Sequence, residues 1–184
     1  MSLLRPSDEP SVAIRQLSRW LEADNPEPLL IETSGSTGKP KGVVIPRRAL
    51  MASVDASARR LGGSGRWLLA LPSSYVAGVQ VIVRSLVAGH APHVVDGLDV
   101  GRAVAADHSD APTFVSLVPT QLHRIMANPE QVAALARCHT VLVEAAGVGG
   151  EEPAVDDALG GELRVVVVVA EEGRVRIAGP RRPG

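Results

Sequence analysis

Between Ser11 and Ala23 the apolar residues Ala13, Leu17, Trp20 and Leu21 recur at helical spacing, and Asp24-Asn25-Pro26 ends the pattern. A helix is predicted there. A short strand follows at Leu29–Glu32, then a glycine-rich stretch, then a second strand at Val43–Ile45. Pro46 opens a helix over Arg47–Leu61, which Gly62-Gly63 closes. Trp67–Leu71 reads as a buried strand, Val76–Ala88 as a helix and His93–Val95 as a strand. A helix over Val100–His108 leads to Phe114–Val118, the clearest buried strand of the chain. Helices at Thr120–Met126 and Pro129–Arg137 precede a strand at Thr140–Val143. Strands alternating with helices at this spacing predict an α/β layered sandwich with a largely parallel sheet.

The pattern changes after Val143. Residues Glu144 to Gly161 are rich in glycine and acidic groups without a clear period. Glu162–Ala170 and Arg174–Ala178 then read as two strands of a C-terminal β-hairpin joined by Glu171-Glu172-Gly173. The tail Gly179–Gly184 has no hydrophobic anchor and is expected to fray. No internal repeat is present.

With 184 residues the chain fits one domain, or one domain with a short appendage. Hydrophobic residues at 45% argue against extensive disorder, and aromatics at 2% leave Val, Ala, Leu and Ile to build the core. So few rings disfavour a base-stacking nucleic-acid surface. A net charge of −1 gives no general pull toward polyanions, so any anion must be bound locally. Cys138 is the single cysteine, which rules out an intrachain disulfide and a multi-cysteine zinc site. Charge and proline come too early in Met1–Pro10 for a signal peptide, and no apolar run is long enough to span a bilayer. The expectation is a soluble, cytoplasmic protein with neither a nucleic-acid nor a membrane partner.

One compositional fact points to chemistry. The only two lysines, Lys39 and Lys41, lie two apart in Thr33-Ser-Gly-Ser-Thr-Gly-Lys-Pro-Lys-Gly42. Glycines let backbone N–H groups converge, hydroxyls add donors and ammonium groups add charge, so the segment suits phosphate oxygens. A flexible polar turn is the commoner meaning of such runs. Strand-like segments at both ends and the confinement of lysine to this stretch favour the phosphate cradle. The glycine spacing is not that of a Walker A loop, and Lys39 precedes Pro40 instead of a magnesium-binding hydroxyl.

The segment resembles the phosphate loop of the acyl-adenylate-forming superfamily, whose signature is T-S-G-[ST]-T-G-x-P-K-G. That resemblance implies that Thr33, Ser34, Gly35, Ser36, Thr37, Gly38 and Lys41 hold the β- and γ-phosphates of ATP while a substrate carboxylate attacks the α-phosphate. Leu71-Pro-Ser-Ser-Tyr-Val-Ala-Gly78 is similar to the family's L-P-x-x-[HY]-x-x-G segment on the acyl side, and Ser116-Leu-Val-Pro-Thr-Gln121 to its V-P-T segment. Both look most like o-succinylbenzoate–CoA ligases of menaquinone biosynthesis. The resemblance implies ATP, Mg2+ and CoA as co-substrates, and a small-molecule carboxylate as partner. It runs from about Pro28 to Val143. It thus implies the N-terminal part of an adenylation domain over 1–143 and an incomplete remnant over 144–184.

Within the acyl-side segments, Tyr75, Gly78, Arg84 and Ser116 are the candidate substrate-binding residues. Arg84 interrupts an apolar helix, so its guanidinium either reaches solvent along its stem or binds a carboxylate of the acid. Tyr75 either walls the acyl pocket or simply packs, and Ser116 is carried by position. His90 and His93 lack further ligands nearby and read as exposed imidazoles in a turn, so no metal site is expected. Cys138 and His139, as strand neighbours, would point to opposite faces and not form a nucleophile pair. Glu151, Glu152, Asp156 and Asp157 read as a solvated charged loop.

Other family signatures are not found in the 184 residues. Tyr75 is the single tyrosine, which leaves no Y-G-x-[ST]-E motif, and T-G-D is absent. Both lysines lie in the loop, so none remains for the family's closing catalytic lysine. Where the resemblance leads one to expect Gly-Gly-Ala, the chain reads Glu144-Ala145-Ala146. Weak or no ligase turnover by this chain alone is therefore expected. A complementing chain, a homo-oligomer, or a non-catalytic phosphate-binding or structural module are the alternatives.

Overall fold

The computed structural model describes residues 2–33, 41–146, 164–171 and 174–178. The chain divides into two compact units, Met1–Val94 and Val95–Gly184.

The first unit opens with α1 (Pro10–Glu22), started by the Glu9 carboxylate, which accepts from the backbone N–H of Ser11 (3.0 Å) and Val12 (2.8 Å). Those bonds, with one from the Ser11 hydroxyl ranking first, hold the Glu9 carboxyl below its ordinary range. Ala13, Leu17 and Trp20, at helical spacing, form the buried face of α1. Strands β1 (Leu29–Thr33) and β2 (Lys41–Ile45) pair antiparallel, from Leu29 opposite Ile45 to Thr33 opposite Lys41. Helix α2 (Arg47–Leu61) has the expected bounds, and Gly62 ends it at φ 78°, a left-handed conformation that glycine adopts without a Cβ penalty.

Strand β3 (Arg66–Leu69) is shorter than predicted and pairs parallel with β4 (His93–Val94). Between them runs α3 (Val76–Val87), whose Val79, Val81, Ile82 and Val83 are fully buried. Buried Ser85 of α3 accepts the N–H of Trp67 at 3.1 Å, tying the helix to the start of β3.

The second unit begins near a 3-10 turn at Asp96–Leu98, which the sequence pattern did not predict. Helix α4 (Val100–Ala105) stops three residues before the predicted His108. The Asp107 carboxylate accepts from Ser109 N–H, Ser109 Oγ and Thr113 Oγ1 at 2.7–3.0 Å, a local turn that competes with another helical turn. Strand β5 (Thr113–Leu117) is followed by α5 (Pro119–Met126), α6 (Pro129–Leu135) and β6 (Thr140–Ala146). Strands β7 (Arg164–Glu171) and β8 (Arg174–Ala178) complete the order β5-β6-β7-β8. β5, β6 and β7 are mutually parallel and β8 returns antiparallel, so the predicted hairpin and parallel sheet are both present.

The sequence pattern ended β6 at Val143, yet the strand continues through Glu144-Ala145-Ala146. Val168, Val169 and Ala170 of β7 face these three residues and extend the ladder. The expectations for Glu151, Glu152, Asp156 and Asp157 and for the tail after Ala178 fall outside the described residues.

Candidate functional site

Strands β1 and β2 flank the segment that the sequence marks as a candidate phosphate loop. Leu29 and Ile31 are fully buried, which fixes β1 in the unit. Its outer side is held by Leu4, whose carbonyl accepts Leu30 N–H at 2.9 Å while Leu4 N–H donates to Pro28 at 3.1 Å. At the far end Arg47, the first residue of α2, donates to the carbonyls of Ala23 (2.7 Å) and Leu21 (2.5 Å). Its guanidinium carbon lies 6.0 Å from the Trp20 ring centre. A cation therefore closes the carbonyl end of α1, where the helix dipole favours it.

Thr33 and Lys41 form the last pair of the hairpin, so the chain leaves and re-enters the ladder at facing positions. Gly42 is tightly placed: a Cβ there would lie 2.9 Å from Leu30 Cδ1. Ser34, Gly35, Ser36, Thr37 and Gly38 lie outside the described residues.

The acyl-side segment forms the turn before α3 and the helix's first residues. Tyr75 is the N-cap and is exposed. Gly78 is buried, and a Cβ on it would lie 2.0 Å from the Pro72 carbonyl oxygen and 2.7 Å from its carbon, so only glycine fits without backbone movement. Ser73, fully buried, donates through Oγ to the Ser7 carbonyl at 2.7 Å. Ser74 Oγ donates to Asp8 Oδ1, and Ser7 N–H donates to Gln16 Oε1 of α1 at 2.9 Å. The sequence reading passed over Ser7, Asp8, Gln16, Ser73 and Ser74. The two serines filling the variable positions of L-P-x-x-[HY] were the available signal.

Arg84 belongs to different surroundings. Nine residues of helix place it about 13 Å along the axis from Tyr75 and on the opposite side of α3. Its guanidinium carbon lies 5.1 Å from the Trp67 ring centre, in cation–π range. It lines a cavity of about 140 Å³ bounded also by Val54, Ser57, Leu61, Ser64 and Trp67. The structure does not bring Tyr75 and Arg84 together on one wall.

In the second unit Ser116 is fully buried within β5, paired with Leu142 of β6. Immediately beyond β5, Gln121 Oε1 accepts Val118 N–H at 3.0 Å and fixes the start of α5. Asn128, the N-cap of α6, accepts Glu130 N–H through Oδ1 at 3.0 Å, and Asp99 caps α4 by accepting Arg102 N–H at 2.9 Å. That backbone bond and one donated by the Gln131 side-chain amide hold the Asp99 carboxyl below its ordinary range.

Cys138 and His139 lie in the turn before β6, not on a strand as the sequence reading assumed. The pair still makes no nucleophile: burial pushes the Cys138 thiol up to about 12, and His139 Nδ1 lies 3.0 Å from Thr140 Oγ1. His90 and His93 are half-buried instead of exposed, and His93 Nε2 lies 3.2 Å from an Arg66 guanidinium nitrogen. Among the described residues no group of three or more His, Cys, Asp or Glu could hold a metal ion, and no helix is long and apolar enough to cross a membrane.

Residues 12–177 match the family described as AMP-binding enzyme. A protein of Mycobacterium tuberculosis named probable 2-succinylbenzoate–CoA ligase is 38% identical over 150 residues, 79% of this chain. The chain spans 39% of that relative's length. A crystal structure of an acyl-CoA synthetase (AMP-forming)/AMP-acid ligase II-like protein from Dyadobacter fermentans superposes with TM-score 0.66 at 25% identity, covering 91% of this chain and 47% of its own. A malonyl-CoA ligase solved with methylmalonyl-CoA and AMP gives TM-score 0.61 at 32% identity, covering 79% of this chain and 33% of its own. A match over nearly the whole sequence, on a fold shared with both of these structures, makes this chain a member of the AMP-binding enzyme family.

Proposed function

We propose that the chain carries the phosphate-loop and acyl-side part of an ATP-dependent acid–thiol ligase, with o-succinylbenzoate as the acid and CoA as the thiol. The observation that supports this reading best is the β1–β2 register. Thr33 and Lys41 face each other at the end of a two-stranded ladder, where a phosphate-binding segment needs both its ends fixed. The name of the Mycobacterium tuberculosis relative favours this acid.

Residues 1–143 form the adenylation part in this reading, and 144–184 a remnant of the region C-terminal to it. The amides and hydroxyls of Thr33 to Gly38 and the ammonium of Lys41 hold the β- and γ-phosphates. The acid's carboxylate oxygen bonds to the α-phosphorus, and pyrophosphate leaves with the electron pair of the broken P–O bond. The CoA sulfur then displaces AMP from the acyl carbon. Such transfers depend on positioning and charge stabilisation, which are what this part of the chain supplies. The family resemblance implies Mg2+ alongside ATP, and no step is assigned to the ion.

By the family resemblance Tyr75 and Gly78 shape the acyl side, and Ser116 of the second unit is a substrate-binding candidate by sequence position alone. The cavity lined by Arg84 makes this guanidinium a candidate partner for a carboxylate, while its stacking on Trp67 is the rival use of the same group.

A second reading, a module that binds phosphate without turnover, is favoured by the continuation of β6 through Glu144–Ala146. The backbone there is committed to the ladder at the place where the family resemblance calls for Gly-Gly-Ala. The 184-residue chain by itself should accordingly turn over weakly. Calorimetric titration with ATP and with pyrophosphate, on wild type and Lys41→Ala, tests the shared core of both readings. Binding that is lost in the variant supports the phosphate loop, and no binding by wild type overturns it. Pyrophosphate release dependent on o-succinylbenzoate then separates ligase from module.

A further inference from the structure

We infer that Ser7 and Asp8 position the acyl-side turn: together with Ser73 and Ser74 they form a clasp that holds the Tyr75 backbone where the acid is met. The inference rests on the ligase reading for the identity of the acid. It stands on geometry that the phosphate loop does not share.

Two hydrogen bonds cross 66 positions of sequence to join the segment before α1 to the turn before α3. One runs from the fully buried Ser73, whose Oγ donates to the carbonyl of half-buried Ser7 at 2.7 Å. The other runs from Ser74 Oγ to the Asp8 carboxylate at the surface. The Ser7 end is itself anchored, since its N–H donates to Gln16 Oε1 on the helix whose Ala13, Leu17 and Trp20 are buried. From the other side the turn is pressed against Gly78, leaving no room for a Cβ. Tyr75 N–H then donates to the Pro72 carbonyl at 3.3 Å, and the Tyr75 carbonyl accepts Val79 N–H at 2.9 Å as α3 begins. The turn thus lies between a fixed helix below and a fixed N-terminal segment above. Tyr75 itself is left exposed.

A hydrogen-bonded clasp serves this turn better than apolar packing would. Residues 71–74 precede the helix, and beside the Tyr75 N–H bond to the Pro72 carbonyl the Ser73 and Ser74 hydroxyls tie this turn to the segment before α1. Ser73 and Ser74 use both variable positions of the L-P-x-x-[HY] pattern for that purpose. They act through the backbone of Tyr75 and are positioning residues, as are Ser7 and Asp8.

Because Tyr75 is the single tyrosine, 3-fluorotyrosine labelling of the full chain gives one fluorine NMR line that reports this turn alone. The variants are Ser73→Ala, Asp8→Asn and Asp8→Ala, with Ser74→Thr as the conservative replacement that retains the hydroxyl. Ser73→Ala and Asp8→Ala are expected to shift, split or broaden the line, and Ser74→Thr to leave it near its wild-type position. Titration with o-succinylbenzoate should show affinity reduced several-fold in Ser73→Ala with ATP affinity unchanged, a split that general destabilisation would not produce. Asp8→Asn keeps an acceptor and should fall between wild type and Asp8→Ala. An unchanged fluorine line in both Ser73→Ala and Asp8→Ala overturns the clasp. Equal losses of acid and ATP affinity overturn the positioning role. If wild type binds no o-succinylbenzoate while the fluorine line responds to the variants, the ligase reading falls and the clasp on the Tyr75 turn stands.

Discussion

Replacing Gly78 by alanine sets two effects of opposite sign against each other. Alanine is the better helix former by about 1 kcal/mol in a helix interior, and Gly78 lies in the first turn of α3, so propensity alone predicts a modest stabilisation. Against this, the new Cβ would lie 2.0 Å from the Pro72 oxygen, 2.7 Å from the Pro72 carbon and 3.1 Å from Ser73 Cα. All three obstacles are backbone atoms, and Ser73 is pinned to Ser7, so no flexible side chain can swing aside. Overpacking of this kind costs about 1–3 kcal/mol, and a backbone obstacle points to the upper end. The net expectation is a loss of about 2 kcal/mol. For a chain of this size, that is a fall in Tm of roughly 4–8 °C. Trp20 and Trp67, the two tryptophans of the chain, both lie in the first unit, so tryptophan fluorescence during urea unfolding reads the unit that contains the mutation. A Gly78→Ala protein as stable as wild type, or more so, would refute the close approach of α3 to the Pro72 turn.

Two further predictions concern the remaining frame. The Cys138 thiol, pushed up to about 12 from 9.0, stays protonated in the folded chain while the unfolded chain ionises. The folded state therefore holds more protons above pH 9, and stability present below that pH is lost as pH rises toward 12. Cys138→Ala should flatten this alkaline limb, and a thiol reagent at pH 8 should label wild type only after urea unfolds it. Arg47→Ala removes two charge-assisted bonds from the α1 carbonyls and should cost about 1–2 kcal/mol by the same fluorescence assay. Arg47→Lys should recover less than half, because an ammonium does not reproduce the planar fork.

What the sequence made legible is what local chemistry decides. Pro46 and Gly62 bracket α2 at its observed bounds because their backbone restrictions act within a residue or two. The two lysines marked the family's signature segment for a similar reason, since that signature is written in consecutive residues. Features that depend on a distant partner were not legible. The end of β6 is set by β7, whose residues 168–170 extend the ladder past Val143, and nothing local to Glu144 announces that. The clasp joins positions 66 apart, and Arg84 meets Trp67 across 17 residues of sequence, so helical periodicity could flag the charge in an apolar helix but not its stacking surface. The shortening of α4 lies between these cases, because Asp107 had the composition of a turn-former but its donors Ser109 and Thr113 had to be placed first.

The hook that Arg47 makes on the last carbonyls of α1 also bears on how sequences of this kind can diverge. It brings the exit from one helix and the entry to the next to the same point, so the stretch from Asp24 to Pro46 is an excursion that starts and ends at a closed joint. Changes confined to the loop between Thr33 and Lys41 fall inside that excursion, away from the Arg47 hook and from the buried Leu29 and Ile31. The segment proposed to bind phosphate lies wholly inside that excursion, between two helix ends that Arg47 keeps joined.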